Sequence, residues 1–334
     1  MTLPATAPAA VRSSTGAGSI TITLRDLPEP GPGDVLVRTE YCGLCGSDLH
    51  IWNGDDGYDW VPCGITLGHE IVGTVVRSGH GFTAGDRVTA IAQSGCGACP
   101  ACEAEYANGC EGKVTLGLTR DGGAAAFVRI PASQLLAVPH EVPARTAVLT
   151  EPLSVAARAV ANRGAVTAED TVVVSGPGTI GILAALVCKY LGARVLVKGT
   201  ARDVAGRAGL AARLGLELAE SVPAGFRPTV WIEAAGVSAA LDDAVQALPV
   251  RGRLVMVALY GAPPVLAAND AVRKELDIIT SYSSHRPDYE LALDVLRAHP
   301  KLGAALVEGV PLADIAGAFA KVGRGTAPKV AVVP

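Results

Sequence analysis

Thr171-Val172-Val173-Val174-Ser175-Gly176-Pro177-Gly178-Thr179-Ile180-Gly181 is followed by an apolar run to Leu191. A short β-branched strand, a Gly-x-Gly-x-x-Gly turn and a helix in that order decide the fold, because such glycines let backbone N–H groups at a helix N-terminus approach a pyrophosphate closely. Gly176, Gly178, Thr179, Ile180 and Gly181 are therefore candidate nucleotide-binding residues. Beyond the turn, β-rich runs at 194–197, 229–233, 253–259 and 276–281 alternate with helical patterns at 204–214, 238–248 and 288–299. Such alternation predicts an α/β domain with a doubly wound parallel sheet.

On the N-terminal side the pattern changes. Strand-like runs at 19–24, 34–40, 67–76 and 124–130 are separated by Pro and Gly punctuation, and Gly85-Asp86-Arg87-Val88 reads as a turn into a strand. The first 17 residues, rich in Ala, Pro, Ser and Thr, read as a loose terminus. A composition shift at 139–143 marks the domain boundary, so the expected division is 1–140, 141–285 and a C-terminal return over 286–334, whose last strand rejoins the first domain. At 334 residues, 49% hydrophobic and with a net charge of −4, the chain has enough apolar content for two cores. It lacks the clustered Lys and Arg of a nucleic-acid surface. With no long apolar span and no signal-like leader, the expectation is a cytoplasmic protein that binds small molecules, not membranes.

Two cysteine clusters carry the chemistry. Cys42-Gly43-Leu44-Cys45-Gly46-Ser47-Asp48-Leu49-His50 places a soft metal ligand, a hydroxyl and an imidazole close together. Only Cys45 has Ser at +2 and His at +5, so Ser47 and His50 are candidates to carry a proton from an alcohol to water. His69 and Glu70 form a second polar pair at the head of an apolar run. Further on, Cys96, Cys99, Cys102 and Cys110 lie within a loop at 95–111 of little apolar content. Four thiolates complete a tetrahedral Zn²⁺, which would be structural, although an iron–sulfur cluster also takes four cysteines. Glu103, Glu105 and Glu111 against Lys113 make this loop a poor nucleic-acid reader.

These pieces together, Cys45-Gly46-Ser47-Asp48 with His50, Gly68-His69-Glu70, Gly85-Asp86-Arg87-Val88, the four-Cys lobe, Glu151-Pro152-Leu153 and the Gly-rich turn, resemble the zinc-dependent medium-chain dehydrogenases, in their sorbitol, polyol and threonine dehydrogenase branch. The resemblance runs from about residue 19 to the end. It implies a mostly β, GroES-like catalytic domain beside the Rossmann domain, with zinc and cofactor in one cleft, and a homodimer or homotetramer. It implies a catalytic zinc on Cys45, His69 and Glu70, with Glu151 as a further ligand or as the group that holds the zinc water. Ser47 and His50 then match the proton relay. The implied reaction passes hydride between a secondary alcohol, or its ketone, and a nicotinamide, with zinc lowering the pKa of the alcohol.

The sequence departs from that branch at the end of the second nucleotide-domain strand. Lys198-Gly199-Thr200-Ala201-Arg202 has no acid where an NAD enzyme places one for the ribose 2′-OH. Gly199 leaves room for a 2′-phosphate, with Lys198, Thr200 and Arg202 around it, so NADP(H) is expected, together with two zinc ions per chain. Tyr282-Ser283-Ser284-His285 replaces the aromatic-Arg pair of many sorbitol dehydrogenases, which leaves polyols, cyclitols, amino alcohols and simpler secondary alcohols open. Two other readings compete: a zinc-independent medium-chain reductase of activated C=C bonds, and a non-catalytic NADPH-binding protein.

Overall fold

The computed structural model describes residues 3–104, 106–325 and 327–334, so Glu105, named above for its charge, lies outside the described residues. The chain divides into two compact units, 1–151 with 296–334, and 152–295.

The first unit opens with an antiparallel hairpin of β1 (Thr6–Arg12) and β2 (Ile20–Asp26). The expected loose terminus is thus a strand from Thr6 onward. Its alanines hide it from a reading by β propensity, but Ala7, Ala9, Ala10 and Val11 are buried, and pairing with β2 satisfies the backbone. Next come β3 (Asp34–Gly43), α1 (Gly46–Asn53), β4 (Glu70–Val75) and β5 (Arg87–Ala90). The antiparallel pair β6 (Gln93–Ser94) and β7 (Val114–Thr115) closes the base of the four-cysteine lobe, which contains α2 (Pro100–Glu103). Then follow β8 (Phe127–Pro131), β9 (Leu135–Ala137) and α3 (Ala144–Ala147), while α4 (Thr150–Ala157) begins in this unit and continues into the second.

The second unit holds β10 (Thr171–Ser175), α5 (Thr179–Tyr190), β11 (Arg194–Lys198), α6 (Ala201–Arg213), β12 (Glu217–Ala219), β13 (Val230–Glu233), α7 (Ser238–Ala247), β14 (Arg253–Met256), α8 (Ala268–Arg273), β15 (Asp277–Thr280) and most of α9 (Arg286–Ala298), whose last turn falls in the first unit. Its six strands are all parallel, in the order β12-β11-β10-β13-β14-β15. The central strands read as β-branched and aromatic runs because both faces are covered: Val172, Val173, Val174, Val230, Trp231 and Ile232 are fully buried. The Gly-rich turn follows β10, where the strand order reverses, which is where doubly wound sheets bind ligands.

The chain then returns to the first unit with α10 (Leu302–Leu306), β16 (Val307–Pro311), α11 (Ile315–Arg324) and β17 (Lys329–Val333). The sheet there runs β16-β17-β3-β4-β5-β9, with β8 also paired to β3. The unit boundaries fall later than the expected 140/141 and 285/286. Segment 141–151 belongs with the first unit because α3 packs on β3, β4 and β16, Arg145 Nε donates to the Val307 carbonyl at 3.0 Å, and Thr146 Oγ1 donates to that of Pro300 at 2.7 Å.

Within the Gly-rich turn the three glycines have different reasons to be there. Gly176 has φ +90°, and a Cβ on Gly181 would lie 1.8 Å from the Gly176 carbonyl oxygen, whereas a Cβ on Gly178 meets nothing within 4 Å. Gly181→Ala is therefore expected to destabilise the protein by about 1–3 kcal/mol through overpacking. Gly178→Ala should leave the melting temperature close to wild type; equal melting of the two variants would contradict this account.

Candidate active site

Cys45 sits at the N-cap of α1, where the Cys45 N–H donates to Asp48 Oδ2 at 2.9 Å and closes a capping box. The thiol is thereby placed at the positive end of the helix dipole. Three neighbouring strands bring the remaining groups to it. The β3–β4 register sets Gly43 opposite Glu70, and the β17–β3 register sets Ala331 opposite Gly43. Glu70 on β4, the preceding His69, and Lys329 on β17 therefore reach the end of β3, which leads into Cys45.

Cys45, His69 and Glu70 each offer a ligand atom, and these atoms lie within 4.8 Å of one another. His69 and Glu70 are buried, and His69 Nδ1 and Glu70 Oε2 have no hydrogen-bond partner. The glycine at 43 makes room for the carboxylate: a Cβ there would lie 1.9 Å from Glu70 Oε2. Buried polar atoms of this kind go unpartnered at a cost unless something binds them. The field also suits a cation: burial alone would lower the pKa of His69, but Asp48, Cys45 and Glu151 raise it well above its ordinary value. Sulfur, nitrogen and carboxylate donors in this number fit a catalytic zinc that keeps an open position.

Cys42 is outside the group. It is fully buried, and burial pushes its thiol well above the usual range, which suits a packing residue. Glu151 is also outside the three-donor group, but it interacts electrostatically with His69, Glu70 and Lys329. Burial pushes its carboxyl up to about 7.

On α1, Ser47 is half-buried and His50 is exposed, on adjacent turns. His50 Nδ1 is 2.7 Å from Asp55 Oδ2, and its ring stacks on Tyr58 with centroids 5.2 Å apart. Sequence reasoning passed over Asp48, Asp55, Tyr58 and Lys329. Asp48 was visible as a capping residue three positions after Cys45; Lys329 had as its signal a lone cation heading an apolar strand.

In the lobe, Cys96, Cys99, Cys102 and Cys110 offer sulfurs within 4.8 Å of one another, and the Cys96 N–H donates to Cys110 Sγ at 3.3 Å. The Ala98 backbone and neighbouring thiols hold Cys96 down to about 7. Although a Cys102 backbone hydrogen bond lowers Cys99, the neighbouring Cys102 and Cys96 side chains push it up to about 11. Sulfurs so close need a cation before all can ionise.

At the nucleotide end, Gly199 closes β11 without a carboxylate. Lys198 differs from its expected role: its Nζ pairs with Asp243 Oδ2 at 2.7 Å, a partner contributed by α7 and too distant in sequence to foresee. Thr200 caps α6, its hydroxyl donating to Asp203 Oδ2 at 2.7 Å. Arg202 is exposed on the first turn of α6. At 282–285, Ser284 Oγ lies 2.7 Å from Ser154 Oγ.

Two outcomes are expected. Cys45→Ser should remove one equivalent of bound zinc and abolish turnover with the fold retained, while Cys42→Ser keeps both equivalents; metal analysis showing the reverse would reassign the ligand. Cys99→Ala should lower the melting temperature and solubility as well as activity, since the binding energy of a structural metal is folding energy.

Residues 31–140 match the family model of the alcohol dehydrogenase GroES-like domain. The chain is 32% identical over 305 residues to the sorbitol dehydrogenase of Halalkalibacterium halodurans, covering 86% of this chain and 88% of that one. It is 33% identical over 281 residues to the L-threonine 3-dehydrogenase of Burkholderia multivorans, covering 78% and 80%. A candidate zinc-binding dehydrogenase of Sinorhizobium meliloti 1021, solved bound to NADP, superposes with a TM-score of 0.88 at 27% identity, covering 99% of this chain and 100% of that one. Fold, motif order and these relatives agree: the chain belongs to the zinc-type medium-chain dehydrogenase/reductase family, in its polyol- and threonine-dehydrogenase-like branch, and is an NAD(P)-dependent alcohol/polyol oxidoreductase.

Proposed function

We propose that the protein transfers hydride between a secondary alcohol, of the polyol, cyclitol or amino-alcohol kind, or its ketone, and NADP(H), with one zinc on Cys45, His69 and Glu70 and a second in the four-cysteine lobe. The observation that carries this reading is the convergence of three donor atoms within 4.8 Å beside the helix that bears Ser47 and His50. Zinc held there supplies Lewis acidity toward the substrate oxygen.

The chain's own groups do the rest. The Ser47 hydroxyl takes the alcohol proton and passes it toward His50, one turn along α1. With Nδ1 held on Asp55, the His50 ring presents Nε2 as the atom that takes up the proton and gives it to solvent, to which the side chain is 52% exposed. Glu151, raised to about 7, can hold or release a proton at neutral pH.

The N-terminus of α5, with Gly176, Gly178, Thr179, Ile180 and Gly181, binds the pyrophosphate. NADP(H) is favoured because Gly199 offers no carboxylate to a 2′-phosphate and Arg202 stands exposed just beyond it, with a fork suited to phosphate. Lys198 and Thr200, engaged by Asp243 and Asp203, contribute less than Arg202. The NADP bound to the Sinorhizobium relative is consistent with this choice.

A homodimer or homotetramer is part of the proposal, supported by β15 at the open edge of the parallel sheet, with Ile278 42% exposed. A cytoplasmic location accords with eight cysteines that are all free.

The test is a screen of polyols, cyclitols and amino alcohols with NADP⁺ and NAD⁺, read as reduced nicotinamide, with metal analysis alongside. We expect two zinc ions per chain, a higher kcat/KM with NADP⁺, and a loss of about tenfold in that value for Arg202→Ala with NAD⁺ use unchanged. Preference of the wild type for NAD⁺ overturns the nucleotide assignment; one zinc per chain overturns the catalytic metal and favours a zinc-independent reductase or a non-catalytic nucleotide binder. Gly199→Asp is a poor substitute test, because a Cβ there would lie 2.8 Å from Asp203 Cβ.

A further inference from the structure

Lys329 is the least expected charged residue of the first unit. Its side chain is 5% exposed, at the head of a strand whose other residues are apolar. Its ammonium donates to the Leu44 carbonyl at 2.9 Å and to Glu70 Oε1, and Glu70 is itself 1% exposed. Burying an ammonium is costly unless it is paired and hydrogen-bonded, so a lysine here needs a reason beyond packing.

The geometry points to Lys329 as a positioning residue for the catalytic metal, one that grips a single oxygen of Glu70 so that the other is presented to the site. This inference rests on the proposed metal role of Cys45, His69 and Glu70. Three features of the carboxylate support it. Oε1 is engaged by Lys329, Oε2 is buried without a partner, and the space beside Oε2 exists only because residue 43 has no side chain. Lys329 and Gly43 thus fix both ends of the carboxyl group, leaving it little freedom to rotate or to bind through both oxygens. The Leu44 carbonyl, one residue before Cys45, holds the same ammonium, so a single cation sets the relative placement of two donors, one at the cap of α1 and one on β4. Lys329 also brings a positive charge to a neighbourhood that contains Asp48, Glu70 and Glu151, and so offsets their mutual repulsion while the donors wait for metal.

The test is competition of the zinc-loaded protein with a chelator, following each zinc equivalent, in wild type, Lys329→Met, Lys329→Arg, Glu70→Gln and Lys329→Met/Glu70→Gln. One zinc of Lys329→Met is expected to leave at about tenfold lower chelator concentration than in wild type, the other being held as before. Lys329→Arg, which keeps the charge, should recover most of the loss. In the Glu70→Gln background the same lysine change should alter zinc retention by no more than about twofold. Cobalt substitution adds a readout independent of affinity: the visible bands of the protein should shift in Lys329→Met and stay in place in Lys329→Arg.

Unchanged zinc retention in Lys329→Met, or an equal loss with and without Glu70, overturns the inference. Should Lys329→Met fail to fold, the double variant, which removes both partners, still yields the comparison with Glu70→Gln alone, and a tenfold difference between those two also overturns it. Failure of the metal reading looks different: a wild type with one zinc, or a Cys45→Ser protein that keeps two, removes the premise before any lysine variant is measured.

Discussion

The ion pair between Lys329 and Glu70 joins residues 259 positions apart, and the arrangement of the first unit follows from it. For the pair to form, the chain must return from its second unit and lay β17 between β16 and β3. Once there, β17 satisfies the edge of β3 and carries Val330, Ala331 and Val332 into the apolar core, each buried. At roughly 1.5–3 kcal/mol for each large apolar side chain removed from water, such burial offsets the entropy of closing so long a loop. The strand that completes the core is thus the strand that delivers the cation, and packing and site assembly are one event.

The same economy of charge governs both cysteine clusters. In the lobe, the loop has little apolar content, and four sulfurs crowd within a few ångströms. The Ala98 backbone and neighbouring thiols bring Cys96 down to about 7 while neighbouring thiols bring Cys99 up to about 11, so the cluster does not ionise evenly by itself. At the candidate active site the field is again negative, yet it is built differently: two buried donors and one half-buried one sit on strand ends and a helix cap, held by Asp48, Gly43 and Lys329. On the proposed reading, the first cluster takes a cation to fold its loop. The other is preformed on rigid elements, which is the arrangement a reacting centre requires.

Much of this was legible in the sequence because it is encoded locally. Thr171–Ser175 and Val230–Glu233 read as strands since parallel strands buried on both faces are rich in β-branched residues, and the Gly-x-Gly-x-x-Gly turn names its own backbone geometry. The donors Cys45, His69 and Glu70 lie in short motifs, and it is the resemblance of those motifs to the zinc-dependent dehydrogenases that names them as one set. What escaped was set by tertiary context. Ala7, Ala9 and Ala10 make a poor strand by propensity and become one by pairing with β2. The helix α1 begins at Gly46-Ser47, weak helix formers, and is started instead by the Cys45–Asp48 capping box. Lys198 looked available for a phosphate until α7 brought Asp243 to it from 45 positions away. Lys329 is the clearest case, a surface-type residue whose partner no local pattern can reveal.

The two glutamates near the site illustrate how environment assigns different work to the same side chain. The family resemblance puts Glu70 in the donor set and Glu151 beside it, as a further ligand or as the group that holds the zinc water. Glu70 lies in the three-donor group, fully buried, with an ammonium against one oxygen and a glycine beneath the other. Glu151 lies outside that group, and desolvation, opposed by His69 and Lys329 and reinforced by Glu70 and Asp48, brings its carboxyl up to about 7. Where neighbours hold two carboxyl groups in such different surroundings, the one fixed between an ammonium and a glycine suits a positioned donor and the one raised toward neutrality suits proton exchange. The lysine that anchors Glu70 also lowers the carboxyl of Glu151, so the value of about 7 is what burial leaves after His69 and Lys329 have opposed it.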